Sequence, residues 1–165
     1  MESLRNAISV GMGELHVTRE KNEVLSCVGL GSCIALCAYD PVSKIGGMVH
    51  MVLPNSRNGD AKYESPKYVN TGIPLLLQEM KRQGAVKSRL NVKIAGGARM
   101  FTIPGSGNLL DVGGRNIEMT QQVLAHEGIK VSASDMGGNK GRTIQLFIDT
   151  GKVFIKAAGS NSVEL

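Results

Sequence analysis

The run CIALCAYDPVSKIGGMVHMVLP, residues 33–54, decides the fold. Two short apolar stretches flank Asp40-Pro41, where proline fixes φ and aspartate opens a turn. The Gly46-Gly47 pair is expected to close that turn, so the flanks form an antiparallel hairpin. With the turn centred on Ser43, position 36 falls opposite roughly position 50 and position 33 opposite roughly position 53, one residue pairing with one in an antiparallel ladder. Alternation places Met48, His50 and Val52 on one face of the second strand.

Upstream of the hairpin, VLSCVGL (24–30) reads as a strand ending in a glycine turn. Downstream, NSRNGDAKYESPK (55–67) is a polar loop. Residues 68–85 then carry Val69, Ile73, Leu76, Leu77 and Met80 at helical spacing, with Gly84 as the stop. Pro74 inside that helix costs a backbone hydrogen bond and is expected to kink its first turns. LNVKIAGGARMF (90–101) is a strand leaving through glycines, and residues 113–129 a second helix with Ile117, Val123 and Leu124 on its apolar side. KVSASDM (130–136) is a further strand, GGNKG (137–141) a loop, and residues 142–158 a hairpin turning on Asp149-Thr150-Gly151. The sum is one domain, 1–165, of α/β class: mostly antiparallel strands with two main helices packed on one face of a layered sheet.

Composition narrows the function. The 165 residues are 42% hydrophobic with no Trp, so the core is aliphatic. No apolar stretch is long enough to span a bilayer, which argues against membrane insertion, and the start, MESLRNAISVGMGELHV, lacks the pattern of a secretory signal. Cytoplasm is the expected compartment. An odd set of three cysteines, Cys27, Cys33 and Cys37, then argues against a disulfide framework. The net charge of +5 favours acidic partners. Nucleic acid is not among those expected, because the basic residues are scattered and aromatics are few.

Chemistry concentrates at GLGSC, residues 29–33. A glycine turn lets a substrate approach closely, and successive N–H groups in it, those around Ser32 and Cys33, can converge on an oxyanion. A thiol there needs a base, since the thiolate is the nucleophile. His50, across the hairpin, is the candidate, given a small register shift or a bulge toward Cys33. The competing readings are a small buried cysteine and a satisfied core histidine. A zinc site built from Cys27, Cys33, Cys37 and His50 lacks the usual C-x₂-C spacing, so no metal is expected. Neither GLGSCI nor GGNKGRT has the spacing of a nucleotide-binding loop.

GLGSC, YDPVSKIGGMVHMVLP, KIAGGARMF, GGRNI and GGNKGRT, in that order, resemble the chemoreceptor glutamine deamidase family, CheD, from about Gly11 to Ala157. The resemblance implies a layered α/β sandwich akin to the deamidase domain of cytotoxic necrotizing toxins. It implies Cys33 as nucleophile, His50 of the HxxLP segment as base, and hydrolysis of glutamine side chains in methyl-accepting chemotaxis receptors without cofactor or metal. It also implies binding of the chemotaxis phosphatase CheC, for which Met100 and Phe101 are candidate contacts, ordinary core being the alternative for both. One departure stands out: the family commonly has threonine six residues before the nucleophile, where this chain has Cys27, preceded by Ser26. Cys27 could orient the histidine through its sulfur or its backbone carbonyl, or Ser26 could take over. A regulatory binding partner with little or no activity is the alternative function, and a thiol enzyme of other specificity, such as a transglutaminase, a third.

Overall fold

A computed structural model describes residues 4–56, 64–100 and 111–165. Among them, ten strands form two five-stranded sheets. One sheet has the order β1 (Asn6–Ser9), β3 (Glu23–Leu30), β8 (Arg142–Phe147), β9 (Val153–Ala157), β10 (Val163–Glu164). The other runs β2 (Leu15–Thr18), β5 (Ile45–Met51), β4 (Ile34–Asp40), β6 (Asn91–Gly96), β7 (Val131–Met136). Pairing is antiparallel except for β1 with β3 and β6 with β7. Two helices, α1 (Val69–Gln83) and α2 (Val112–His126), cover the outer face of the second sheet, α1 against β5 and β2, α2 against α1 and β4. The molecule is thus sheet on sheet on helices, the α/β layering with helices on one side that the sequence led us to expect.

The β4 strand explains why both layers hold. All seven of its residues are buried, so its apolar run is continuous instead of alternating, as in a strand covered on both faces. Ala35 and Cys37 point into the core between the sheets, with Leu25, Cys27 and Ile144. Ile34, Leu36 and Ala38 point the other way, to Ile73, Leu76 and Met80 of α1 and Leu124 of α2. The Tyr39 hydroxyl crosses between sheets to donate to the Ile148 carbonyl at 2.9 Å.

The hairpin forms as read, with a different turn. Asp40 pairs directly with Ile45, leaving only residues 41–44 in the loop. Asp40 Oδ1 accepts from the Val42 and Ser43 amides, and Lys44 takes a positive φ of 61° while donating to the Asp40 carbonyl. Gly46 and Gly47 therefore do not close the turn. They lie inside β5, where a Cβ would come within 2.6 Å of Ile148 or 2.9 Å of Leu76. Close packing on both faces is their reason to be glycine.

The first helix runs unbroken through Pro74 and ends at Gly84, whose φ of 111° only glycine takes readily. The second faces the core with the side that its apolar pattern marks, Leu124 buried and Ile117 and Val123 packed on the same cluster. Its fully buried residues include Asn116 and Thr120 beside Leu124, while Ile117 and Val123 are only partly buried. Of the expected polar loop, 55–67, residues 57–63 lie outside the described residues, as does Phe101. The short strands β1 and β2 have no counterpart in the sequence reading. Among the described residues no helix is long and apolar enough to cross a membrane.

Candidate active site

The glycine turn carries the chain from one sheet to the other, β3 ending at Leu30 and β4 starting at Ile34. Cys33 sits at that crossing, 9% exposed. Gly29 marks an irregularity in β3, with a φ of 68°. Gly31 leaves room for Met100, whose Cγ would lie 3.1 Å from a Cβ there. Met100 itself is 47% exposed. Beside it Ser32, Ala98, Arg99, Asp111 and Gly113 line a shallow cavity of about 150 Å³. Asp111 caps α2 by accepting from the Gly114 amide and also pairs with Arg99 at 3.1 Å.

Hairpin register decides which face Cys33 shares with which residue. Ala35 pairs with His50 and Ile34 with Met51, one step from the pairing that a turn centred on Ser43 gives. Extending that ladder brings Cys33 opposite Val52, hence onto the His50 face, because paired residues of an antiparallel ladder share a face. The alternative register would have turned the thiol to the helices. Cys33, Cys37 and Met48 indeed fall in one core cluster between the sheets.

His50 is 6% exposed. Its Nδ1 lies 2.9 Å from the Val10 carbonyl oxygen. A carbonyl can only accept, so Nδ1 carries the proton and the neutral ring keeps its lone pair on Nε2. That Nε2 is buried with no hydrogen-bond partner among the described residues. The Cys27 thiol donates to the same Val10 oxygen at 3.4 Å and approaches Met48 Sδ at 3.3 Å. The imidazole is thus tied to a backbone carbonyl of the chain before β2, with Cys27 as second donor to it. Ser26 does not take this place: its carbonyl accepts from the Val10 amide. Nothing in a side-chain pattern announces a backbone carbonyl, which is why the sequence reading missed Val10.

Asn116 is the second residue that reading missed. It is fully buried, and its Nδ2 donates to the Ser32 and Val52 carbonyls, both at 2.9 Å. One amide from the helix layer thereby joins the loop holding Cys33 to the strand end beyond His50. With every described peptide trans, anchoring the Ser32 oxygen on Asn116 aims the Cys33 N–H the opposite way. The polar residue inside a helix pattern was the available signal.

Burial pushes the Cys33 thiol up from its ordinary value. Cys27 is driven to about 12, by burial first, then by Cys33 and Glu14. Cys37, wholly enclosed, is raised well above the ordinary range, by burial first. All three thiols are therefore protonated at rest, and a nucleophile here must lose its proton as it reacts. No group of three or more His, Cys, Asp or Glu suited to a metal occurs among the described residues.

Comparison with known proteins bears on this arrangement. A family model described as "CheD chemotactic sensory transduction" matches residues 52–157. The chain is 47% identical over 162 residues to "Probable chemoreceptor glutamine deamidase CheD" of Symbiobacterium thermophilum, covering 98% of each protein. It is 40% identical over 151 residues to "Chemoreceptor glutamine deamidase CheD" of Thermotoga maritima, covering 91% of each. Among solved structures, the C-terminal domain of CNFy from Yersinia pseudotuberculosis overlaps with a TM-score of 0.41 at 10% identity, covering 96% of this chain and 61% of that one. That overlap is too loose to argue from. The relatives are not: with such identity sustained from end to end, and the family model spanning more than half of its residues, this chain belongs to the CheD family.

Proposed function

We propose that this chain is a cytoplasmic chemoreceptor glutamine deamidase in which residues 1–165 act as one domain. Cys33 is the nucleophile and His50 the base. His50 Nε2 takes the Cys33 proton as the sulfur attacks the amide carbon of a receptor glutamine. The N–H groups around Ser32 and Cys33 hold the resulting oxyanion, each such donor stabilising it by about 3 kcal/mol. His50 then protonates the departing ammonia. Water adds to the thioester, with His50 taking its proton, and glutamate leaves with Cys33 restored. Neither metal nor organic cofactor takes part in these steps.

One observation carries the reading. A buried histidine with Nδ1 tied to a carbonyl and Nε2 unpartnered among the described residues shares a sheet face with a cysteine set on a glycine turn. A core histidine satisfied at both nitrogens would have spoken for the bland alternative. The names of the relatives support the substrate class. The half-exposed Met100 beside the turn is a candidate contact for the phosphatase CheC.

Cys27 favours a second reading, a regulatory partner with little activity, because a thiol is a weaker donor than the hydroxyl it replaces. Mass spectrometry of receptor cytoplasmic peptides decides, after incubation with the native protein and with Cys33→Ala. Glutamine-to-glutamate conversion by the native protein alone is expected. No conversion by the folded, reduced native protein overturns the enzyme, and phosphatase binding by Cys33→Ala then tests the partner role.

A further inference from the structure

Behind His50 the hydrogen bonds do not stop at Val10. The carbonyl that accepts from His50 Nδ1 belongs to the Val10–Gly11 peptide group, and the N–H of that same group, on Gly11, donates to Glu14 Oε2 at 3.0 Å. The rest of the segment is laced to His50 through main chain. His50 N–H donates to the Glu14 carbonyl at 3.0 Å, and Gly13 N–H to the His50 carbonyl at 2.8 Å. Residues 10–14 therefore wrap the histidine, and a single carboxylate fixes the plane of the peptide that orients its ring.

We propose that Glu14 is a positioning residue for His50, acting through the Val10–Gly11 peptide. Two physical effects run along this path. A peptide group is rigid and planar, so anchoring its N–H fixes the direction of its C=O. An anionic acceptor on the N–H also shifts electron density toward the carbonyl oxygen, which makes that oxygen a stronger acceptor for Nδ1–H. Both effects favour the ring form that keeps Nε2 as the acceptor. A carboxylate and a histidine are thereby joined through one peptide unit instead of a direct contact. The Glu14 side chain is exposed, so its direct field at the ring is weakened by solvent, while the hydrogen-bonded route is not. The Cys27 thiol shares the Val10 oxygen with the ring, and the Cys33 and Cys37 thiols lie in the same core between the sheets. Lys67 packs on Gly13 from outside, with its Cβ 3.5 Å from where a Gly13 Cβ would stand.

A turn that merely needed its amide capped would leave the ring indifferent to Glu14. Nitrogen-15 NMR of His50 in the full-length reduced protein separates the two cases, because the ring nitrogens report which tautomer is present. Glu14→Ala is expected to raise the Nε2–H fraction of the neutral ring several-fold over the native protein, and Glu14→Gln, whose amide oxygen is a neutral and weaker acceptor, to raise it less and to weaken the Nδ1–H bond. Deamidation by Glu14→Ala is expected to lose about tenfold in kcat with KM within about twofold, and Glu14→Gln to fall between. An unchanged His50 tautomer in folded Glu14→Ala overturns the proposal whatever the activity does. Should that variant fail to fold, Glu14→Gln decides: a weakened Nδ1–H bond, read from its nitrogen shift, supports the proposal and an unchanged shift overturns it. The kinetic arm rests on the deamidase reading and the NMR arm does not, so a native protein without activity leaves the tautomer comparison decisive.

Discussion

At the scale of single residues, the site depends on backbone carbonyls held by side chains. Asn116 holds two of them, and Asn116→Ala takes that donor from both of these partly buried groups. The expected loss is about 2 kcal/mol of stability, together with a fall in kcat/KM on the order of tenfold as Cys33 and His50 drift apart. Chemical denaturation and deamidation rates check the two effects separately. Cys27 is the other such donor. Cys27→Thr places a hydroxyl where the thiol reaches Val10, and activity at or above that of the native protein is expected, whereas Cys27→Ala, with no donor, falls below it.

The same thiol has a consequence for alkaline stability. A folded-state value raised from 9.0 to about 12 means that the native protein holds a proton the unfolded chain releases earlier. Its contribution is complete below about pH 8.5, where the unfolded thiol is still protonated, and is lost as pH rises toward 12. Melting temperature should therefore fall more steeply between about pH 8.5 and 10.5 in the native protein than in Cys27→Thr, whose hydroxyl does not titrate.

Among elements, the turn out of β6 fixes where β4 can begin. Gly96 has a φ of 117°, and a Cβ on it would stand 2.0 Å from the Cys33 carbonyl oxygen. Gly96→Ala must displace the chain at Cys33, where β4 begins, and a loss of at least about 2 kcal/mol is expected. Gly29→Ala is the contrast. Its φ of 68° is left-handed too, but nothing among the described residues lies within 4 Å of the added atom, so only about 1 kcal/mol of backbone cost applies. Thermal melts of the two variants side by side measure that difference.

Over the whole molecule, electrostatics act in two places. Asp40 is buried at the hairpin turn, where Arg89 and the Val86, Val42 and Ser43 amides all donate to it. The Arg89 guanidinium foremost, and then those amides, hold its carboxyl well below the usual range, against the opposing effect of burial. A depressed value stabilises the fold above the unfolded carboxyl's own titration, near about pH 4, and the benefit drains away as pH falls further. Asp40→Asn should be less stable at pH 7 and show a shallower loss below about pH 4, which melting across pH will read. The net charge of +5 acts at longer range. For an acidic receptor segment, kcat/KM should fall as salt is raised from about 50 to about 300 mM, with kcat little changed.

The sequence by itself determined the hairpin, the two helices with the glycine stop of the first, and the sheet-rich layering, because hydrophobic period and turn chemistry are local properties. It also singled out Cys33 and His50, since a thiol after paired glycines and a histidine in an apolar strand stand out against their neighbours. Tertiary structure alone decided which faces those two residues occupy. A one-residue difference in the turn reverses every side chain of a strand, and Asp40 with Lys44 set that count through hydrogen bonds that composition does not display. The strands β1 and β2 escaped notice because four residues are too few to establish a period. Val10 and Asn116 escaped for a related reason. Their roles belong to a carbonyl and an amide brought to the site from 40 and 66 residues away from His50, and only the folded chain places them there.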